Sequence, residues 1–148
     1  MDSKALAVMA TAVAGSLVAM QAPINSALGK AVGSLPAASF SFAIGTLLLA
    51  GIVAVASGGF GSIGEVRHVS WYYLTGGLLG AAYVTTVLVT VRTLGAGGVT
   101  AATIAGQLTM AVVVDQLGIL GVSKHPITAL RVLGVVLLAA GTFLIVRE

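Results

Sequence analysis

The chain has no cysteine among its 148 residues, which excludes disulfides, thiolate metal sites and thiol catalysis. Charge is almost as scarce: Asp, Glu, Lys and Arg make up 7% of the residues, where a soluble domain carries roughly 25%. Hydrophobic residues reach 58% and the mean hydropathy is +1.12. There is too little polar surface here to cover a water-soluble globule, so lipid must be the solvent for most of the exterior. The net charge of +3 comes from single residues placed where loops fall, not from a basic patch, and nucleic acid is not an expected partner. The two histidines, His68 and His125, fall in expected loops and form no ligand cluster, so no metal and no cofactor is expected. No paired catalytic constellation and no nucleotide-binding motif is visible. An enzyme is not expected.

What is present is a set of long apolar runs. A helix rising 1.5 Å per residue needs about 20 residues to cross a hydrocarbon core of roughly 30 Å. Five segments meet that need, near 5–28, 36–57, 70–91, 97–120 and 127–146. Backbone groups in lipid must be satisfied within the segment, and alternating strands for a barrel are missing, so each is read as a helix. The expected fold is all-α: a polytopic transmembrane helix bundle with five spans in one domain, 1–148. Gly29, Gly33 and Pro36 separate the first two spans, and Ser57-Gly58-Gly59 closes the second. Trp71, Tyr72 and Tyr73 open the third as an aromatic belt at headgroup level. Gly95, Gly97 and Gly98 break between the third and fourth, and Lys124-His125-Pro126 makes a tight turn before the fifth, with Pro at its start. Lys4 followed by an apolar run also resembles a signal peptide, with small residues near Ala19 and Ala22; the reading taken is a retained membrane helix.

Small residues recur at helix-packing spacing: Gly15 with Ala19, Gly76 with Gly80, Gly134 with Gly141. Burial gives no drive for helices to associate in lipid, and small residues let backbones approach. Gly76 and Gly80 form the leading candidate seam. Five spans put the termini on opposite faces. With the N-terminus inside, Lys4, Arg67, Lys124 and Arg131 face the cytoplasm and Lys30, Arg92 and Arg147 face outward. Orientation normally follows a clear Lys/Arg excess on the cytoplasmic side, and this near balance leads to an expectation of dual topology and an antiparallel homodimer. One fixed orientation set by the first helix is the alternative.

Asp115 lies within the fourth span, and an ionisable group at that depth is a functional candidate. The turn between the last two spans centres near Ser123, with Asp115 eight residues before and Arg131 eight after. Antiparallel neighbours bring the two to one depth, so a structural ion pair and a direct role in cation or proton handling both stand. Gln107, two turns before Asp115, is either interhelical glue or a cavity-lining amide. Tyr83, near the centre of the third span, carries a phenol that needs a partner. In the first span Gln21 and Asn25 flank Pro23, where the helix is expected to kink or unwind. Such interrupted helices build transporter sites, or else carry a simple kink capped by its own amides.

The run Gln21-Ala22-Pro23-Ile24-Asn25-Ser26-Ala27-Leu28-Gly29 is similar to the first-helix signature of the YdcZ-like proteins, half-size, five-helix members of the drug/metabolite transporter superfamily. Ser39-Phe40-Ser41-Phe42-Ala43-Ile44-Gly45-Thr46 resembles their second helix, and Trp71-Tyr72 with Gly76-Gly77-Leu78-Leu79-Gly80-Ala81 the third. Gly106-Gln107-Leu108 and Asp115-Gln116-Leu117-Gly118 resemble the fourth, and Arg131 with Gly134 and Gly141 the fifth. The family often has His and an aromatic after the helix-four Asp, where Gln116 and Leu117 stand here, which puts an Asp-His proton relay in doubt.

The resemblance implies one half of a ten-helix inverted-repeat transporter, in the inner (plasma) membrane of a bacterium. Two oppositely facing copies would rebuild that repeat. The implied function is secondary transport: export of a small metabolite or drug-like molecule by alternating access, with Gln21, Asn25, Tyr83, Gln107 and Asp115 as substrate-binding residues. The alternatives are a structural or half-transporter subunit that needs an oppositely oriented paralogue in a heterodimer, and a passive channel. A channel wants a ring of polar pore residues that the sequence does not supply.

Overall fold

The computed structural model describes residues 2–56 and 58–147. Among them there is no strand. The helices are α1 (Ser3–Val32), α2 (Ser34–Ala56), α3 (Gly76–Leu117) and α4 (Ala129–Val146), with two 3₁₀ helices, Ile63–His68 and Trp71–Thr75, between α2 and α3. Apolar side chains cover their exteriors: Val55 is 87% exposed, Leu130 80% and Leu47 73%. A soluble protein does not show such surface in bulk, and each helix is long and apolar enough to cross a membrane. The fold is a polytopic helical membrane bundle.

α3 is two helices joined at one residue. A straight helix of 42 residues would measure about 63 Å, twice the roughly 30 Å that lipid asks for. Gly95 breaks it with φ 67° and ψ 170°, a conformation essentially restricted to glycine. The arms, 76–94 and 96–117, are about 28 and 33 Å long, each a membrane crossing in length. The loop expected over 92–96 is absent, because one residue in that conformation is enough to interrupt the helix.

Other boundaries move too. α1 and α2 run to a single joint at Gly33, with φ 93°, not across a loop from 29 to 35. The third span starts in α conformation only at Gly76, after the 3₁₀ turn over Trp71–Thr75. α4 starts at Ala129, not at Pro126, because Thr128 caps it: the Thr128 hydroxyl accepts from the Arg131 N–H. α1 also passes through Pro23 without unwinding. The proline removes the N–H that would reach the Ala19 carbonyl, yet in lipid the neighbouring backbone has no water to bond with, and helix remains its best state. Asp2 caps the start of α1, its carboxylate accepting from the Lys4 N–H at 3.3 Å. The Ser57 part of the Ser-Gly-Gly stop lies outside the described residues.

The chain forms two compact units, Gln21–Val89 and Met1–Met20 with Thr90–Glu148. In the first, α1 and α2 run antiparallel and are tied by the Asn25 amide donating to the Ser41 hydroxyl at 3.2 Å. α2 packs on the first arm of α3 through Ala37, Ala38, Val84 and Leu88, with Tyr83 against them. Ala37 and Leu88 are fully buried. Small residues on one side and a branched one on the other allow this approach, and dispersion at close range replaces the hydrophobic drive that lipid removes.

In the second unit the arm 96–117 and α4 form an antiparallel hairpin. Asp115 meets Arg131 at one end. At the other, the Thr142 hydroxyl donates to the Ala101 carbonyl at 3.0 Å, and Gly98 lies within van der Waals reach of Val146. The half-buried residues of α4 are Arg131, Val135, Leu138, Gly141 and Thr142, spaced i, i+4, i+7, i+10 and i+11 along one side of the helix. None of α4 is fully buried.

Candidate functional site

Asp115 and Arg131 sit on facing helices because the intervening chain is strapped to the end of α3. Gly118 starts the strap with φ 63°, and a Cβ there would lie 2.9 Å from the Lys124 Cβ and 3.3 Å from its Cα. Only glycine permits both that backbone and that approach. The His125 N–H then reaches the Asp115 carbonyl at 2.8 Å, filling one of the acceptors a helix end leaves open. The Ile127 N–H is held by the Gln116 side-chain oxygen at 2.7 Å. Thr128 caps α4, and Arg131 Nη1 lies 3.0 Å from Asp115 Oδ2. The two side chains are 36% and 28% exposed, so the pair is neither a surface bridge nor a sealed one.

Its polarity is unusual. Asp115 lies in the last turn of α3 and Arg131 in the first turn of α4. A helix carries partial negative charge at its C-terminus and partial positive charge at its N-terminus. Each member therefore sits at the end that repels it, and the attraction between the two has to hold both in place.

Gln107, on the same arm as Asp115, is exposed, and its side chain makes no hydrogen bond among the described residues. In the other unit Gln21 is likewise exposed. Asn25 is 6% exposed and bonded to Ser41, while Tyr83 is half-buried against the Ala37–Leu88 cluster. Asn25 and Tyr83 thus belong to one compact unit, and Gln107, Asp115 and Arg131 to the other. Of the candidate packing glycines, Gly80 lies within van der Waals reach of the Phe42 ring, whereas Gly76, Gly15 and Gly134 meet nothing within 4 Å. Among the described residues no three His, Asp or Glu come together as a metal-holding group. An open groove along α2, lined by Leu47, Leu48, Gly51, Ile52, Val55 and Ala56, has nothing polar to offer a solute.

Several partners were not read from the sequence. Gln116 is the side-chain acceptor for Ile127, Ser41 the partner of Asn25, and Thr142 the clamp at the far end of the hairpin. Thr142 had a signal, since it lies on the Arg131 face of α4 by periodicity. Ser41 and Gln116 had none that distinguishes them from other polar residues near a helix end.

The family model described as "Putative inner membrane exporter, YdcZ" matches residues 6–144, which takes in both units and every candidate residue. No curated protein and no solved structure matches the chain. The matched family is one of transporters, not a class of enzymes, and the apolar helices agree with it. This multi-pass membrane protein belongs to the YdcZ family of exporters.

Proposed function

We propose that the chain is a secondary transporter that exports a small metabolite or drug-like molecule by alternating access, working as an antiparallel dimer. The observation that carries this reading is the family match over nearly the whole of a chain whose described residues form five helical segments of spanning length. Larger transporters build alternating access from inverted repeats, and two oppositely inserted copies would supply the same symmetry. The near-equal division of Lys and Arg between the two ends of the spans supports insertion both ways. The residues proposed to meet substrate are Gln21, Asn25 and Tyr83 in one unit and Gln107 and Asp115 in the other. The driving energy is an ion gradient or substrate exchange, since the sequence has no nucleotide-binding motif.

Flux is the direct test. Purified chain in liposomes, given a broad metabolite panel under imposed proton and sodium gradients, should move at least one compound, and no flux for any of them would overturn the proposal. Orientation is tested separately with single cysteines at Ser62 and Ser123, both exposed, in a chain that has none of its own. Partial labelling of both sites from outside intact cells supports the antiparallel homodimer. Complete labelling of both sites from outside, or of neither, fixes the topology and points to an oppositely oriented paralogue as partner.

A further inference from the structure

Between α2 and α3 the chain neither loops freely nor forms α-helix. It winds as a 3₁₀ helix over Ile63–His68, longer than the three or four residues at which such runs usually stop. Bonds of the same i to i−3 type extend it at both ends, from the Ile63 N–H to the Phe60 carbonyl at 3.0 Å and from the Val69 N–H to the Val66 carbonyl at 3.4 Å. A 3₁₀ helix has three residues per turn, so side chains at i and i+3 eclipse one another. The sequence has that period. Phe60, Ile63, Val66 and Val69 fall on one line, Ser62, Glu65 and His68 on a second, and Gly61, Gly64, Arg67 and Ser70 on the third. A period of three suits neither an α-helix nor a strand.

Among the described residues the apolar line is exposed along its whole length. Phe60 is 50% exposed, Ile63 64%, Val66 45% and Val69 46%. The segment lies between two membrane-spanning helices, α2 before it and the first arm of α3 after it. The aromatic trio follows at once: the Trp71 and Tyr72 rings meet edge to face with centroids 6.4 Å apart, and Tyr73 lies 4.5 Å beyond Tyr72. Trp and Tyr settle at headgroup level, which sets the depth of the segment. The apolar groove of α2 also reaches Ala56, its last residue, so an acyl chain lying there would carry its headgroup to the same level.

We propose that residues 60–69 form an amphipathic 3₁₀ strap lying flat in the membrane interface, with Phe60, Ile63, Val66 and Val69 at the acyl boundary and Ser62, Glu65, Arg67 and His68 toward headgroups and water. The partner is phospholipid. Glu65 offsets Arg67, so the strap binds by apolar insertion, unlike basic amphipathic helices that require anionic lipid. Its docking should persist in purely zwitterionic bilayers and at high salt.

The test places single cysteines, one per variant, at each position from 60 to 69 of the full chain in lipid nanodiscs. Both bilayer faces are open there, so orientation and oligomeric state do not enter the result. Labelling by a polar maleimide should be about tenfold slower at 60, 63, 66 and 69 than at their neighbours, because an apolar surround disfavours the thiolate. A fluorophore at those four positions should be quenched by lipids brominated near the top of the acyl chain, equally with or without anionic lipid. Uniform labelling would overturn the proposal, and so would slow labelling without quenching, which would mean a protein covers the stripe. The unaltered chain gives a check free of substitution through Trp71, its single tryptophan. Shallow bromines should quench it more than deep ones, and no quenching from either depth would also overturn the proposal.

Discussion

Exchanging the two charges of the Asp115–Arg131 pair should make the protein more stable, not less. In the native arrangement both members lie at the repelling end of their helix, Asp115 in the last turn of α3 and Arg131 in the first turn of α4. The double variant Asp115→Arg with Arg131→Asp keeps the attraction at a separation now 3.0 Å and makes both dipole interactions favourable. Each charge at a helix end is worth about 0.3–1 kcal/mol. The His125 N–H on the Asp115 carbonyl and the Thr128 cap on α4 already soften those ends, leaving a net gain of about 1–2 kcal/mol. The single variants Asp115→Asn and Arg131→Gln should lose stability instead. The pair is part-exposed, so its coupling falls between the near-zero value of surface pairs and the larger cost of breaking sealed ones, about 1–2 kcal/mol. Reversible unfolding in mixed micelles, run as a full cycle, measures both quantities. A coupling under about 0.3 kcal/mol, within the scatter of non-interacting sites, or an exchanged chain less stable than Asp115→Asn, would refute the electrostatic account. Flux on the exchanged chain then separates the roles: retained transport makes the pair structural, and transport lost from a stable protein shows that the charges are needed at their native positions.

Gly118→Ala should cost about 1–3 kcal/mol through strain at positive φ and contact with Lys124; Gly121→Ala, with φ 79° and open space, should cost less, and equal losses would dismiss the close approach as a cause. Gln116→Leu should speed hydrogen exchange at the Ile127 amide about fivefold while Gln116→Glu keeps it slow, since a hydrogen bond is worth about 1 kcal/mol; unchanged exchange in Gln116→Leu would remove Gln116 from the turn between α3 and α4. Ser41→Ala should cost about 0.6 kcal/mol or more by leaving the Asn25 amide buried without its partner. Asn25→Ala should cost less per bond lost, because the Ser41 hydroxyl can turn to its own helix carbonyl, and the reverse order in thermal unfolding would contradict that asymmetry.

The spanning helices were legible from hydropathy because lipid leaves a polar backbone so few choices. The proximity of Asp115 and Arg131 could be read from their equal distance to Ser123. What the sequence obscured was where helices stop. Gly95, Gly97 and Gly98 all read as breakers, yet only Gly95 leaves helical geometry; Pro23, too, sits inside an unbroken α1. Breaker rules are calibrated in water, where an interrupted helix can bond to solvent, and in lipid that alternative is missing. The 3₁₀ strap was hidden for a different reason. Four apolar residues at a spacing of three resemble half of a helical stripe, and only the i to i−3 bonds show that the spacing continues in register.

The exposed amide of Gln107 offers a way to learn whether α3 faces lipid or a second copy. It lies on the arm 96–117, well inside the span, with no intrachain hydrogen bond to its side chain among the described residues. Against hydrocarbon, that amide is a polar group without a partner, so Gln107→Leu would stabilise the chain and leave its association untouched. Against another copy, the amide is interhelical glue worth about 0.6 kcal/mol, and its loss would weaken dimerisation about threefold. A dimer seam on this face requires the second result. Förster transfer between differently labelled copies, titrated against lipid dilution, reads the dissociation constant directly. A Gln107→Leu chain that pairs as tightly as the native one, or more tightly, would place this face in lipid and move the search for the seam to another helix, with the open Gly134 side of α4 the next to test.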